Sequence, residues 1–320
     1  MIGRKLVARL LGKGSLADGS GREDVITELI VCDVVAPEPA FPSDPRLRVV
    51  VGEFGEPARL RELITPDTKL IYHLAAVVSG AAEADFELGL RVNLHQSQAL
   101  LEAARKLGTC PRFVFASSVA VYGGNLPEVI GDDTALNPQT SYGSQKAMVE
   151  FLVTDYSRKG FLDGRALRLP TISVRPGKPN KAASSFASSI IREPLEGRAY
   201  LCPVPPETEA CLLSPRRVVE CFLRAAELPA ADFGTQRALQ LPGLTVSLAE
   251  AINGLRAIGG EAVAARIGWE PDRVVMKIVA GWPVRIAARR AEAMGFEGDA
   301  NFEEIIRIFI EDDLDGTFVG

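Results

Sequence analysis

Two stretches decide how this chain is read: Arg112-Phe113-Val114-Phe115-Ala116-Ser117-Ser118-Val119-Ala120-Val121-Tyr122-Gly123 and Asn137-Pro138-Gln139-Thr140-Ser141-Tyr142-Gly143-Ser144-Gln145-Lys146. Residues 113–117 form a short apolar run of strand type, and the second stretch opens a helical pattern over 141–159. Tyr142 and Lys146 stand four apart and therefore share one helix face. An ammonium beside a phenol favours the ionised form and pulls a pKa of ~10 toward neutrality. A phenolate at neutral pH is a general base. Ser118 stands 24 positions before Tyr142, at the end of the strand-like run, where it can hydrogen-bond the same substrate oxygen. A Tyr-x-x-x-Lys pair alone also occurs on solvated helix faces; the strand and Ser118 set this one apart.

Working outward, short apolar runs at 28–32, 47–51, 70–74, 113–117 and 165–169 alternate with helical patterns at 57–64, 85–107 and 141–159. This alternation predicts βαβ units and a parallel sheet. Residues 12–24, rich in Gly, Ser and Asp, read as a surface loop. After Pro170 the pattern loosens around proline-rich segments at 176–179 and 203–206, with helices at 214–227, 247–258 and 301–313. The reading divides the chain into a unit over 1–170 that carries the Ser, Tyr and Lys, and a mainly substrate-binding part over 171–320.

The start reads as an incomplete motif. Met1-Ile2-Gly3-Arg4-Lys5-Leu6-Val7-Ala8-Arg9-Leu10-Leu11 looks like the end of a G-x-x-G-x-x-G turn running into a first helix, with Gly3 as third glycine and Leu6, Val7, Leu10 and Leu11 as its apolar face. A dinucleotide-binding α/β unit opens with a buried strand and a glycine turn that meets pyrophosphate at a helix N-terminus. The expected fold is thus a Rossmann-type doubly wound parallel sheet with a small C-terminal capping domain, its first strand truncated. The reading frame is expected to continue upstream, and without that strand buried edges stay unpaired.

A chain of 320 residues, 47% hydrophobic, can bury one large core or a large and a small one. Its 36 basic and 41 acidic residues give a net charge of -5, no footprint for nucleic acid or an anionic membrane. The cysteines, Cys32, Cys110, Cys202, Cys211 and Cys221, lack C-x-x-C spacing, and His73 and His95 have no second ligand at metal spacing. A reducing compartment and no metal are expected. With no signal segment or spanning apolar run, the expected location is the cytoplasm.

The pattern FASSVAVYG…NPQTSYGSQK closely resembles the extended short-chain dehydrogenase/reductases, which include nucleotide-sugar epimerases and dehydratases, and the resemblance covers nearly the whole chain. It implies Tyr142 as base, Lys146 as its partner and a ligand of the nicotinamide ribose, and Ser118 as the hydroxyl that polarises substrate. Asp33, ending its strand, can accept hydrogen bonds from an adenosine ribose and repel a 2′-phosphate, so NAD is expected over NADP; its plainer role is a turn cap. Gly52-Glu53-Phe54 resembles a Gly-Asp-aliphatic segment beside the adenine, with Glu replacing Asp. His73-Leu74-Ala75-Ala76 matches an H-x-A-A turn whose small residues let the backbone approach the dinucleotide, with His73 a hydrogen-bonded wall. Asn93 matches an Asn that braces the active-site strand. The helices at 85–107 and 141–159 commonly make a homodimer in this family.

Relatives that bind nucleotide sugars carry an Arg-Asp pair ahead of Val-x-Asp. The corresponding stretch here, Ala210-Cys211-Leu212-Leu213-Ser214-Pro215-Arg216-Arg217-Val218-Val219-Glu220, lacks it and reads as a smaller, closed site. Residues 169–180 and 184–194 resemble the D-erythronate dehydrogenase branch, which implies oxidation of a short sugar acid at its 2-hydroxyl. The acid's carboxylate calls for a forked guanidinium with hydroxyls nearby. Arg192, Ser184, Ser185, Asn180 and Thr208 are the candidates, against plainer roles as helix caps and loop braces. Two other classes stay open: a nucleotide-sugar 4-epimerase or dehydratase, and a non-catalytic NAD-binding regulator.

Overall fold

A computed structural model describes residues 1–177 and 183–320. Helix α1 (Ile2–Lys13) buries Leu6, Val7 and Leu10 and closes on Gly14 at φ 74°. The expected loop over 12–24 is instead a hairpin of β1 (Ser15–Ala17) and β2 (Glu23–Val25). Asp18 makes its turn by accepting the backbone N–H groups of Ser20 and Arg22, a local bond that loop composition conceals.

The units that follow are β3 (Leu29–Asp33), β4 (Leu47–Val51), α2 (Pro57–Leu63), β5 (Leu70–His73), α3 (Ser79–Ala84) and α4 (Phe86–Gly89). A π-helix over Leu90–Gln96 then leads into α5 (Ser97–Leu107), β6 (Arg112–Ser118), α6 (Ser141–Arg158) and β7 (Asp163–Leu169). The single helix expected over 85–107 is therefore interrupted, because Asn93 and Ser97 are turned inward to make buried polar bonds. The second half comprises β8 (Thr171–Ile172), α7 (Phe186–Leu195), β9 (Tyr200–Cys202), β10 (Glu209–Leu213), α8 (Pro215–Glu227), α9 (Ala230–Phe233), β11 (Ala238–Gln240) and β12 (Leu244–Ser247). It ends with α10 (Leu248–Gly259), α11 (Glu261–Ala264), β13 (Ile267–Trp269), α12 (Arg273–Val279), α13 (Arg289–Ala293) and α14 (Phe302–Asp313).

Strands β5, β6, β7 and β11 form a parallel sheet in the order β11-β7-β6-β5, while β3 and β4 pair in parallel as a separate ribbon. Among the described residues no ladder joins the two, so β3 and β5 each carry a strand on one side only. The second half contributes the β12-β10-β8 sheet and the β13-β9 pair.

Alternation along β6 decides the layers. Phe113 and Phe115 face one cluster with Leu101, Val149 and Val153 of α5 and α6, whereas Val114 and Ala116 face the other with Leu6, Leu10 and Phe222 of α1 and α8. Both faces of the sheet are covered, as parallel sheets require. Each fully buried side chain of this size contributes about 1.5–3 kcal/mol. A third cluster packs α7, α10 and α14 through Phe186, Ile190, Leu255, Ile305 and Phe309. No described helix is long and apolar enough to cross a membrane.

Candidate active site

Strands β6 and β7 run in register to their C-terminal ends, where Ser118 stands opposite Leu169. This is the edge at which open α/β sheets take ligands. Ser118 caps a 3₁₀ turn over Val119–Val121 by accepting the Ala120 N–H at 3.1 Å. Helix α6 begins where it does because the Thr140 hydroxyl accepts the Gly143 N–H at 3.1 Å. Tyr142 thereby falls in the first turn and Lys146 one turn later. Gly143 lies against the Ala120 carbonyl: a β-carbon there would stand 2.1 Å from the oxygen. This close approach seats the helix start on the turn that follows Ser118.

The structure brings Ser118, Tyr142 and Lys146 together. Burial pushes the Tyr142 phenol up to about 12, with the hydrogen bond from Ser118 acting the other way. Lys146 is buried; its Nζ donates to the Ala116 carbonyl at 2.9 Å and lies 4.6 Å from the Phe115 ring centre and 5.5 Å from that of Tyr142. Burial pushes this ammonium down to about 7, opposed by Glu150. The expected drop of the phenol toward neutrality is therefore absent from the polypeptide alone. Both groups are desolvated, and burial penalises each charge more than their neighbours recover.

Lys146 has a polar floor beneath it that motif reading missed. Glu150, one turn further along α6, pairs with Arg168 of β7 at 2.7 Å and accepts the Ser117 hydroxyl at 2.5 Å. Arg168 also donates to the Tyr122 hydroxyl at 2.7 Å. The available signal was spacing, since Glu150 repeats the Tyr142 and Lys146 face at four-residue intervals.

The residues assigned to a dinucleotide lie along the ends of β3, β4 and β5. Asp33 is exposed, its carboxylate accepting the Val35 N–H at 3.2 Å. Glu53 accepts from Gln96 at 2.7 Å, and Phe54 meets His73 edge-on at 5.2 Å. His73 is the expected wall: its Nε2 lies 2.7 Å from the Ser97 hydroxyl, and burial, aided by the Lys146 charge, pushes it down to about 3. Leu74, Ala75 and Ala76 form the turn after β5, with Ala75 exposed. Asn93 braces this turn rather than the active-site strand, bonding both backbone groups of Val77 and the Gln145 side chain. A β-carbon on Gly3 would meet nothing within 4 Å, and the first turn of α1 holds no acidic residue. The helix start is thus open to an anion. An exposed carboxylate after β3 and the Lys146–Tyr142 pair beside the end of β6 are the features that a dinucleotide laid across the strand ends would use.

The substrate candidates are dispersed. Asn180 lies outside the described residues. Arg192 is 2% exposed and turned inward, donating to Glu193, the Arg175 carbonyl and Ser189. Desolvating its guanidinium requires those partners, so it serves the packing of α7. Arg175, not singled out by the sequence, instead donates to the Ser184 carbonyl and hydroxyl at 3.0 and 3.3 Å, and its backbone N–H goes to Ser188. Ser185 occupies the N-cap position of α7. Thr208 lines a cleft of 750 Å³ with Val204, Ser247, Met276 and Trp282. Arg216 and Arg217 are tied into ion pairs with Glu311, Asp312, Glu220 and Glu304. Among the described residues no cluster of His, Cys, Asp and Glu is arranged to hold a metal.

Residues 1–225 match the NAD dependent epimerase/dehydratase family. The chain is 56% identical over 311 residues to a D-erythronate dehydrogenase of Cupriavidus necator, covering 97% of this chain and 95% of that one. It is 45% identical to a D-erythronate dehydrogenase of Haemophilus influenzae, covering 98% and 96%. Among solved structures, a nucleoside-diphosphate-sugar epimerase from Agrobacterium tumefaciens superimposes with a TM-score of 0.93 at 41% identity, covering 99% and 92%.

Proposed function

This chain belongs to the NAD dependent epimerase/dehydratase family, and from that premise we propose that it oxidises D-erythronate at the 2-hydroxyl to the 2-oxo acid with NAD⁺. The observation that carries the reading is the convergence of Ser118, Tyr142 and Lys146 at the end of β6 in a chain more than half identical to a D-erythronate dehydrogenase. Bound NAD⁺ supplies the acceptor for the hydride leaving C2. Ser118 hydrogen-bonds the 2-hydroxyl oxygen and holds it at Tyr142. The Tyr142 oxygen takes the hydroxyl proton as the C–O bond becomes a carbonyl. Lys146, fixed by the Ala116 carbonyl, orients the phenol and the cofactor ribose. Asp33, Glu53, Phe54, Leu74, Ala75, Ala76 and Gly3 hold the rest of the dinucleotide, with Asn93 bracing their turn.

For the acid's carboxylate we assign Arg175 with Ser184, because the described partners of the Arg175 guanidinium, Ser184 and Ser188, are neutral whereas that of Arg192 already faces Glu193. Thr208, on the cleft beside Ser247 and Trp282, is proposed as a further substrate contact. Residues 1–170 serve NAD and the triad, and 171–320 mainly the substrate, although β11 returns to the first sheet. The free cysteines suit the reducing cytoplasm, and the proposed sugar-acid substrate places the enzyme in carbohydrate metabolism. A homodimer is proposed through the outer faces of α4 and α6, where Phe86 and Phe151 are 55% and 65% exposed.

The nucleoside-diphosphate-sugar epimerase likeness at 41% identity favours a second reading. An epimerase returns the hydride it removes, whereas a dehydrogenase accumulates NADH. Absorbance at the NADH band with NAD⁺ and a panel of short aldonic acids separates them. Stoichiometric NADH with D-erythronate is the expected result; epimerised nucleotide sugar without net NADH would replace the proposal.

A further inference from the structure

Three consecutive residues of β6 are held by three different groups. The Ala116 carbonyl accepts Lys146 Nζ at 2.9 Å, the Ser117 hydroxyl donates to Glu150 Oε1 at 2.5 Å, and Ser118 meets Tyr142. All three links come from α6, each one turn from the next. Glu150 is 2% exposed, and its remaining acceptor capacity is filled by Arg168, whose Nε stands 3.1 Å from both carboxylate oxygens and whose Nη2 stands 2.7 Å from Oε2. Arg168 belongs to β7, the strand in register with β6 on its far side. Its Nη1 continues to Tyr122, just beyond the 3₁₀ turn that Ser118 caps. One buried carboxylate therefore ties together α6, β6 and β7, and through Arg168 the segment after Ser118.

We propose that Glu150 is a positioning residue of the reaction: it clamps β6 to α6, and so sets how Ser118 and Lys146 meet Tyr142. The inference rests on the dehydrogenase reading for what the triad does, but the clamp itself is read from geometry. A buried bidentate ion pair adds little net stability over an apolar substitute, so its value here lies in directional bonds that an apolar floor cannot make. The same carboxylate is the anion that opposes loss of the Lys146 proton. The titratable and charged groups facing this cluster are Tyr142 and Lys146 on α6, His73 on β5, Arg168 on β7 and Tyr122 after β6.

Two variants test it. In Glu150→Gln the shape is kept and the charge removed; Ser117→Ala leaves the Glu150–Arg168 pair intact and cuts only the link to β6. Each should lower kcat roughly 10- to 100-fold with the KM for NAD⁺ little changed, the signature of misplacement rather than lost binding. Independently of turnover, the Lys146 signal in substrate-free protein carrying ¹³Cε-lysine, assigned by its disappearance in Lys146→Met, should titrate about one pH unit lower in Glu150→Gln. In Ser117→Ala that midpoint should stay at the wild-type value. If folded Ser117→Ala keeps wild-type kcat, or if Lys146 titrates identically with and without the Glu150 charge, the proposal is overturned. Should the wild type form no NADH from D-erythronate, the dehydrogenase reading falls while the lysine titration still decides the clamp.

Discussion

Tyr142 sits in the first turn of α6 with its phenol pushed up to about 12, so transferring a proton to it requires everything nearby to favour the ionised form. Removing its hydroxyl removes the acceptor and little contact area. Tyr142→Phe should lower kcat by roughly 10²- to 10⁴-fold and leave NAD⁺ affinity near wild type, measured by steady-state kinetics beside fluorescence titration of the cofactor. A second residue-scale expectation concerns Arg175. Arg175→Ala should raise the KM for the sugar acid at least 10-fold with NAD⁺ binding unchanged, whereas Arg192→Ala should lower thermal stability, because it leaves the Ser189 hydroxyl and the Arg175 carbonyl without their donor and Glu193 with Arg198 alone. His73 gives a pH dependence whose sign is fixed. Its folded pKa of about 3 lies below the ordinary 6.5, so between those values the unfolded chain binds the proton that the folded one refuses. Stability is fully present above pH 6.5 and falls as pH drops toward 3, by on the order of a few kcal/mol. Urea unfolding at pH 7 and pH 4.5 should show a larger loss in wild type than in His73→Gln, which cannot take that proton.

At the level of elements, α6 acts as the ruler of the site. Its cap at Thr140 sets the phase of the helix, Gly143 lets it approach the Ala120 carbonyl, and the Gln145–Asn93 bond ties it to the π-helix. A methyl at position 143 has no rotamer to escape into, because the atom it meets is backbone. Gly143→Ala should therefore cost about 1–3 kcal/mol and move Tyr142 away from Ser118. The readouts are a lowered Tm together with a kcat loss that exceeds any change in KM. The Tyr-x-x-x-Lys spacing made the helix and its active face legible in the sequence. The interruption at Leu90–Gln96 was not, because apolar periodicity carries no trace of Asn93 and Ser97 bonding inward. The hairpin over Ser15–Val25 was hidden likewise, since a turn closed by Asp18 has the composition of an unstructured loop.

Across the whole molecule, the sheet is divided. The β3–β4 ribbon and the four-stranded sheet are each paired internally, and among the described residues no backbone ladder runs between them. Amide protons of Leu29–Asp33 and Leu70–His73 not engaged by their one neighbour should exchange faster than those of β6, which is paired on both sides. Hydrogen exchange read by mass spectrometry checks this; equal protection across β3, β5 and β6 would mean that the two sheets close on each other in solution. The sequence by itself determined the class of fold and that Ser118, Tyr142 and Lys146 come together, because these depend on local period and on fixed spacing along one helix. Only the tertiary structure decided that Arg192 turns inward while Arg175 faces Ser184, that Glu150 and Arg168 form the floor beneath Lys146, and that burial outweighs the ammonium at the Tyr142 phenol. Those outcomes turn on which side chains lose water and which distant strand they meet, and neither is set by neighbours along the chain.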